Sequence, residues 1–560
     1  MTTATLIKPA AFKPGFSSQS LFVGCSVLFS CLLIIPLLVV LSSLFFSSGD
    51  IWQHLYETVL ADYLLNSLLL MLGTSILVLP LGVLPAWLLT MYKLPMDRQL
   101  QWLLLLPMAM PAYIIAYTYT GMLDVAGPLQ SLIRSGLGLE YGEYWFPEVR
   151  SLTGAIVMLS LVLYPYVYLL ARAAFIEQSI CVLEVAETLG CNALQAFCKV
   201  ALPLARPAIF VGLSLVMMET LADYGTVQYF GVATFTTGIF RTWFGLGSSV
   251  AAAQLSAILM CFVFALILLE NRSRRQARFH HTSNRYSSLQ KGRLSPARRY
   301  PALLFCLLPV VFGFIVPALQ LCVWAWQTYS QSIDKQFLLL AWHSIELALI
   351  TSLAAGMLAL LIAYSKRIQR NWLTRVAGRV AGLGYAIPGT VIAVGVLLPF
   401  IWLDKSLTAI ARTLFASETE FYLAGTLLVL IFAYLVRFLP ISLNTVDAGL
   451  AKIKPSMEEA GRTAGYNAFA LLRHLHVPLM RGSILTAMLL VFVDVLKELP
   501  ATLILRPFDF NTLAIRAYDL ANEERLAEAA LPALAIVLTG IIPVIILNRS
   551  ITEARPGHGG

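Results

Sequence analysis

Long apolar segments recur along the whole chain, and they limit its fold more than any other feature. A helix of about 20 apolar residues crosses a hydrocarbon core of roughly 30 Å. Strands of a membrane barrel would instead alternate apolar and polar residues over about ten positions, which these segments do not do. The sequence therefore predicts an all-α membrane protein with about twelve transmembrane helices. The candidate spans are 21–46, 64–91, 102–123, 152–175, 203–222, 250–269, 302–326, 342–364, 380–402, 421–443, 480–496 and 528–547.

Two of these segments fit the pattern less well than the others. Pro107 and Pro111 interrupt the third candidate span, and Asp494 makes the end of the eleventh polar. Charged residues make up only 12% of the chain, against about 25% in a typical soluble protein. The first apolar run is too long for the core of a cleavable signal peptide, so we expect it to be a retained span.

The distribution of charge between the spans predicts the orientation of the chain. Residues 271–300, between the sixth and seventh spans, form a central loop with basic residues and no acidic ones. Such a run between two spans is typical of a cytoplasmic loop. Residues 365–379 are also basic, whereas 47–63 carry only acidic charges. With six spans before this central loop, we expect both termini in the cytoplasm, and the net charge of +9 gives no reason to expect a nucleic-acid partner. The basic residues of the central loop are Arg272, Arg274, Arg275, Arg278, Arg285, Lys291, Arg293, Arg298 and Arg299.

The chain contains an internal repeat. Residues of the same type recur 275 to 277 positions apart, as in Pro165 and Pro440, or the segments "PAYIIA" and "PGTVIA". Each repeat has an even number of spans, so the two are expected to be parallel and related by an axis along the membrane normal. We predict a first six-helix half at 1–270, a basic cytoplasmic linker at 271–300 and a second half at 301–560.

One repeated segment is more polar than a span should be. It follows the fourth span as "EVAETLGCNALQAFCKVALPLARPAI" and returns after the tenth. Gly190 can end a short helix in the left-handed conformation, and Asn192 with Gln195 can form a capping box at the start of a second one. Gly465 and Asn467 repeat this pattern, although Ala470 cannot complete the box. We expect a cytoplasmic helix–turn–helix in each half.

This paired pattern resembles the EAA loop of the permease subunits of ABC importers. The motif reads Glu-Ala-Ala, three residues, Gly, nine residues, Ile, one residue, Leu-Pro. The second half has Gly461 at the third motif position, a conservative departure. The matching residues are Glu184, Ala186, Gly190, Asn192 and Pro203 in the first half, and Glu459, Ala460, Gly461, Gly465, Asn467 and Pro478 in the second. Within the family, "ETLADYGTVQYFG" and "VLKELPATLILRPFDFNTLAIRAY" look most like iron(III) permeases.

The resemblance implies a division of labour between subunits. In that family, the EAA loops dock on two copies of a cytoplasmic ATPase, and a substrate-binding protein on the outer side delivers the cargo. No lysine of the chain lies in the Gly-rich phosphate-binding loop that ATP hydrolysis requires. We therefore expect no catalytic residue, no bound cofactor and no resident metal in this chain, with ATP and Mg²⁺ used by the partner.

Four carboxylates near the outer ends of the fifth and eleventh spans are candidates for the substrate pathway. Glu219 and Asp223 are four residues apart, and Asp494 and Glu498 are their equivalents. Ionisable groups inside a span are costly and suggest a functional site, and hard cations prefer oxygen ligands. Tyr224 is a further oxygen donor. An interfacial position, with Lys497 pairing Asp494, is an equally open interpretation.

Arg241 and Arg516 occupy matched positions in the outward-facing segments that follow. They are candidates to balance those carboxylates, to bind the docking protein, or both. Two alternatives for the whole chain stay open at this point. One is the same family with thiamine, polyamine or phosphonate as cargo. The other is a twelve-helix secondary transporter, which would not need two EAA-like loops.

Overall fold

The computed structural model describes residues 18–140, 142–177, 190, 192–276, 291–415 and 420–553. The described residues are almost entirely helical, with a single isolated β-bridge between Tyr92 and Gly292. Within the described residues, eleven helices are long and apolar enough to cross a membrane, or up to twelve if one bent pair is counted as a span. The predicted all-α architecture with two repeats is confirmed.

The first repeat is described from Ser18 to Gln276, apart from residues 141, 178–189 and 191. Its helices are α1 (Ser18–Ser42), α2 (Asp50–Thr58), α3 (Leu60–Met91), α4 (Asp97–Leu103), α5 (Ala112–Leu123), α6 (Pro128–Leu137), α7 (Leu152–Glu177), α8 (Ala193–Ala196), α9 (Leu202–Ala222), α10 (Gly225–Tyr229), α11 (Phe235–Phe240) and α12 (Ser249–Gln276).

The second repeat follows the same order. Its helices are α13 (Pro296–Val310), α14 (Val316–Ser332), α15 (Lys335–Ile368), α16 (Trp372–Ala381), α17 (Gly389–Phe415), α18 (Leu427–Ala451), α19 (Pro455–Thr463), α20 (Ala468–Leu471), α21 (Val477–Leu496), α22 (Pro500–Leu505), α23 (Leu513–Asn522) and α24 (Leu526–Glu553).

The third predicted span, 102–123, is wrong as one continuous helix. The helical structure is interrupted between Ala109 and Ala112, and the helical segments on either side are bent by 89° relative to each other. Met110 is extended, with ψ of 114°, because the ring of Pro111 disfavours a helical conformation in the preceding residue. Pro388 has the same effect in the second half, where Ile387 is extended and α17 begins at Gly389.

The fifth and eleventh spans begin earlier than predicted, at Leu194 and Ala468. The second short helix of each expected helix–turn–helix is thus the first turn of a span. A π-helical turn at Phe197–Ala201 joins α8 to α9, and one at Leu472–His476 joins α20 to α21. These wider turns lie directly before Pro203 and Pro478, so the helices continue through both prolines.

The first span of each half packs against the opposite half. In α1, Phe22 makes an edge contact with Tyr364, and a Cβ on Gly395 would lie only 2.6 Å from the Pro36 carbonyl oxygen. Conversely, Tyr119 donates a hydrogen bond to the Phe312 carbonyl oxygen, which lies between α13 and α14, at 2.6 Å. Because α1 packs on the second half and the α13–α14 junction contacts the first half, the two repeats form one bundle.

Candidate functional site

A cavity of about 160 Å³ lies between the two halves, where α9 and α21 end. Many of its lining residues are pairs related by the repeat, so the cavity lies on the pseudo-twofold axis. We call it the central cavity. Matched lining pairs are Met108 and Tyr385, Val162 and Arg437, Leu163 and Phe438, Glu219 and Asp494, Ala222 and Lys497, Asp223 and Glu498, and Tyr224 and Leu499.

All five residues predicted for the substrate pathway line the central cavity. Their surroundings nevertheless divide them into two groups. α9 ends at Ala222 and Asp223 is extended, so Asp223 does not share a helical face with Glu219 as the sequence suggested. Glu498 likewise follows the end of α21.

Asp223 caps the short helix α10. Its Oδ2 atom accepts hydrogen bonds from the backbone N–H groups of Thr226 and Val227, both at 3.1 Å. Its Oδ1 atom accepts one from the Thr226 hydroxyl at 3.0 Å. A carboxylate at a helix N-terminus satisfies backbone donors that have no partner within the helix. The side chain therefore stabilises the fold at the cavity wall.

Glu498 performs the same task for α22. Its carboxylate accepts hydrogen bonds from the N–H groups of Ala501 and Thr502 at 3.1 Å and from the Thr502 hydroxyl at 2.8 Å. Arg437 adds an ion pair at 3.2 Å. With its side chain only 2% exposed, Glu498 has little capacity left for a passing ligand.

Glu219 and Asp494 are the two carboxylates not used as caps. Asp494 pairs with Lys497 at 2.8 Å, as the interfacial interpretation proposed. Glu219 is half-buried beside Tyr166 and Tyr385 and forms no ion pair with a described residue. Of the four predicted carboxylates, Glu219 is therefore the one that neither caps a helix nor pairs with a cation among the described residues.

Sequence reasoning missed four polar residues of this cavity, Arg437, Tyr113, Tyr166 and Tyr385. A signal for Arg437 was present, since it is a lone arginine inside the tenth predicted span and intramembrane charges mark functional or structural sites. Arg437 and Lys497 offset two of the four carboxylate charges. No group of three or more metal-ligating side chains is preassembled among the described residues.

Tyr224 lies with its ring stacked on Phe240, the centroids 3.8 Å apart, and close to Tyr518. Arg241 is exposed and lies beside Tyr63. Arg516 is half-buried in a second, smaller cavity with Asp334 and Glu528. Neither arginine lines the central cavity, whose cations are Arg437 and Lys497.

The two EAA-like segments, 184–203 and 459–478, form the second candidate site. Glu184 and Ala186 lie outside the described residues. In the second copy, Glu459 and Ala460 are exposed on α19, and Gly461 is half-buried against Leu471. A short exposed helix of this kind is available to a partner.

Both turn glycines have the predicted left-handed conformation, with φ of +83° at Gly190 and +87° at Gly465. Asn192 accepts a hydrogen bond from the Gln195 N–H at 2.8 Å, and the Gln195 side chain accepts one from the Asn192 N–H at 3.0 Å. Asn467 caps α20, because its Oδ1 atom accepts a hydrogen bond from the Ala470 N–H at 2.8 Å. The local geometry agrees with the sequence pattern in both copies.

The second EAA-like segment and the residues just before it are tied to α15 by polar contacts. Arg367 donates to Glu458 at 2.8 Å and to the Ile453 carbonyl oxygen at 2.8 Å. The Tyr364 hydroxyl donates to the Ala468 carbonyl oxygen at 2.6 Å. In the first half, the ring of Trp87 on α3 packs against that of Phe197, with their centroids 5.1 Å apart. The described part of each segment therefore packs against α3 or α15.

Both halves of the chain match the same family of known proteins. The family model "Binding-protein-dependent transport system inner membrane component" matches twice, at residues 78–276 and 352–553. The Fe(3+)-transport system permease protein FbpB 2 of Haemophilus influenzae is 26% identical over 509 residues, which are 89% of this chain and 91% of that protein.

Two further relatives differ in length and name. The ferric transport system permease protein FbpB of Actinobacillus pleuropneumoniae is 22% identical over 79% of this chain and 64% of its own length. The sulfate transport system permease protein CysT of Escherichia coli is 31% identical over 39% of this chain and 75% of its own length. The match to CysT spans less than half of this chain.

Proposed function

Since the chain belongs to the family of binding-protein-dependent transport system inner membrane components, we propose that it is the permease subunit of an ATP-driven importer for iron(III). It spans the cytoplasmic membrane of a bacterial cell with both termini inside. Cargo delivered by an outer binding protein passes between the halves by alternating access. The two FbpB relatives, which are named for ferric transport, support the choice of cargo.

The observation that carries this proposal is the pairing of two EAA-like segments with one central cavity. The segments have matched turns at Gly190 and Gly465, and each continues directly into the span whose far end lines the cavity. A force applied to either segment is therefore transmitted along α9 or α21 to Glu219 or Asp494. Two copies of a separate ATPase, which binds ATP and Mg²⁺, would supply that force.

A second cargo class deserves a test because Arg437 and Lys497 line the cavity and one relative is named for sulfate. An oxyanion such as sulfate or a phosphonate would be attracted by these cations. Both are, however, paired with carboxylates in the structure. The cavity therefore favours a cation or a neutral chelate over a free anion.

Uptake of radiolabelled iron(III) by cells expressing the complete transporter distinguishes the two cargoes. We expect uptake that excess unlabelled iron(III) suppresses and that sulfate and 2-aminoethylphosphonate leave unchanged. Absence of iron accumulation, together with uptake of radiolabelled sulfate or 2-aminoethylphosphonate by the same cells, would assign the transporter to anions.

A further inference from the structure

A groove of about 420 Å³ at the predicted cytoplasmic end of the second half is unrelated to the cavity described above. It lies between the end of α15, the start of α16 and the end of α18. Its walls include Lys366, Arg367, Arg370, Arg375 and Asp447. We infer that this basic groove binds the headgroup of an anionic phospholipid from the inner leaflet.

The charges of the basic groove are only partly balanced. Lys366 pairs with Asp447 at 2.5 Å, and Arg367 pairs with Glu458 at 2.8 Å. Arg370 and Arg375 are exposed and form no ion pair with any residue that the structure describes. Two uncompensated guanidinium groups in a concave site match a phosphodiester, which arginine binds through paired hydrogen bonds.

The apolar residues beside the groove place it at the level of the membrane surface. α16 buries Thr374, Ala377 and Ala381 against the bundle. Its other face exposes Trp372 (68%), Leu373 and Val376. An amphipathic helix with an exposed tryptophan and flanking arginines is typical of a segment lying in the headgroup region. A lipid is therefore a better occupant than an acidic segment of a soluble protein.

The first half contains the same groove in a filled state. The equivalents of Lys366, Arg370 and Arg375 are Leu89, Lys93 and Arg98, 277 residues earlier. There the linker covers the site. The Lys291 ammonium group donates to the Leu89 carbonyl oxygen at 2.6 Å and to Asp97 at 2.5 Å.

Backbone hydrogen bonds hold this cover in place. The Lys93 N–H donates to the Gly292 carbonyl oxygen at 3.0 Å, and the Gly292 N–H donates to that of Met91 at 2.9 Å. The two halves carry cations at matched positions, but Thr374 of the second half stands where the first half has Asp97, and no described segment reaches the basic groove. Without an acidic residue at that position to hold a cation such as Lys291, the expected occupant is an anion.

The groove also adjoins the second EAA-like segment. Arg367 lines its wall and at the same time holds Glu458 of α19. A bound headgroup would restrain the end of α15 and thereby the position of α19. The lipid site does not depend on the identity of the cargo, and its test does not require transport.

Native mass spectrometry of the full-length chain, with cardiolipin or phosphatidylglycerol titrated against phosphatidylcholine, tests this inference. We expect selective retention of the anionic lipids. The double variant Arg370→Gln/Arg375→Gln should weaken their binding about thirtyfold, equivalent to about 2 kcal/mol, because each cation near a surface contributes to anionic-lipid affinity. The matched control is Lys93→Gln/Arg98→Gln, which should change binding less than about twofold.

Four results would overturn the inference. One is equal loss of lipid in the variant and in the control. Another is retention of anionic lipid by the variant, with melting temperature unchanged. The third is displacement of the wild-type signal by soluble inorganic phosphate alone, which would assign the groove to a free anion. Loss of co-purifying ATPase without any change in lipid retention would likewise contradict a lipid site and indicate a protein contact.

Discussion

Asp223 and Glu498, which are equivalent residues of the two halves, each cap the first turn of a short helix at the wall of the central cavity. The caps hold α10 and α22 across the ends of the spans α9 and α21. Because the same carboxylates also line the cavity, their structural role can be separated from transport only by matched substitutions.

Replacing either capping carboxylate should lower the free energy of unfolding, because each one holds a short helix in place. Asp223→Ala removes the acceptor for two backbone N–H groups, so we expect a loss of about 1–2 kcal/mol in unfolding free energy. Glu498→Ala should cost more, since it also leaves Arg437 unpaired. Thermal unfolding in detergent checks both, with Asp223→Asn as the control that retains a cap acceptor. Equal melting temperatures for Asp223→Ala and wild type would contradict the capping role.

The carboxylates that are not caps should matter for transport and not for folding. Glu219→Gln together with Asp494→Asn should lower iron(III) uptake at least about tenfold, or about 1.4 kcal/mol, with the melting temperature unchanged. Glu346→Gln is the control, because Glu346 lies in the span α15 but does not line the cavity. Normal uptake by the double variant would remove these two residues from the pathway.

The left-handed glycines should be sensitive to any side chain, although nothing lies within 4 Å of the position a Cβ would take. The reason is conformational, since a left-handed residue other than glycine costs about 1–2 kcal/mol. Gly465→Val should therefore disturb α19 and uncouple ATP hydrolysis from uptake. Gly482→Ala, in equally open space on α21 without a positive φ, should leave the ratio of ATP hydrolysed to iron transported as in wild type. An unchanged ratio in Gly465→Val would show that the turn is dispensable.

The contact between Arg367 and Glu458 should link α15 to α19. Both side chains are mostly buried, at 15% and 13% exposure, so removing one partner leaves the other desolvated. Arg367→Met should cost about 2 kcal/mol and reduce ATP-driven uptake. The double variant Arg367→Met/Glu458→Met should recover part of both losses, as a double-mutant cycle measures. Strict additivity of the two single substitutions would show that the pair is not coupled.

The repeat made much of this structure predictable. Matched spacing led from Glu219 to Asp494 and from Gly190 to Gly465, and the structure brings the first pair to one cavity and gives the second pair the same backbone conformation. Capping at Asn192 and Asn467 was readable because such contacts involve residues only three apart. Local hydrogen bonding and symmetry are both visible in a sequence.

What the sequence did not reveal depends on backbone breaks and on contacts between distant residues. Pro111 lies at an interruption, after one helix and directly before the next. Pro203 and Pro478 instead follow π-helical turns, and the helix continues through them. Amino-acid composition does not distinguish these two cases. The cap formed by Asp223 required knowing that α9 stops at Ala222. The lone arginine of the tenth span is visible in the sequence, but its ion pair with Glu498 is not, because the two residues lie on different helices far apart along the chain.

The most direct test of the account is the composition and energy source of the working transporter. The tagged chain should purify with two ATPase subunits, and proteoliposomes containing that complex with its binding protein should take up iron(III) only when ATP reaches the ATPase. Uptake by the chain alone, driven by an ion gradient and without any ATPase, would contradict it.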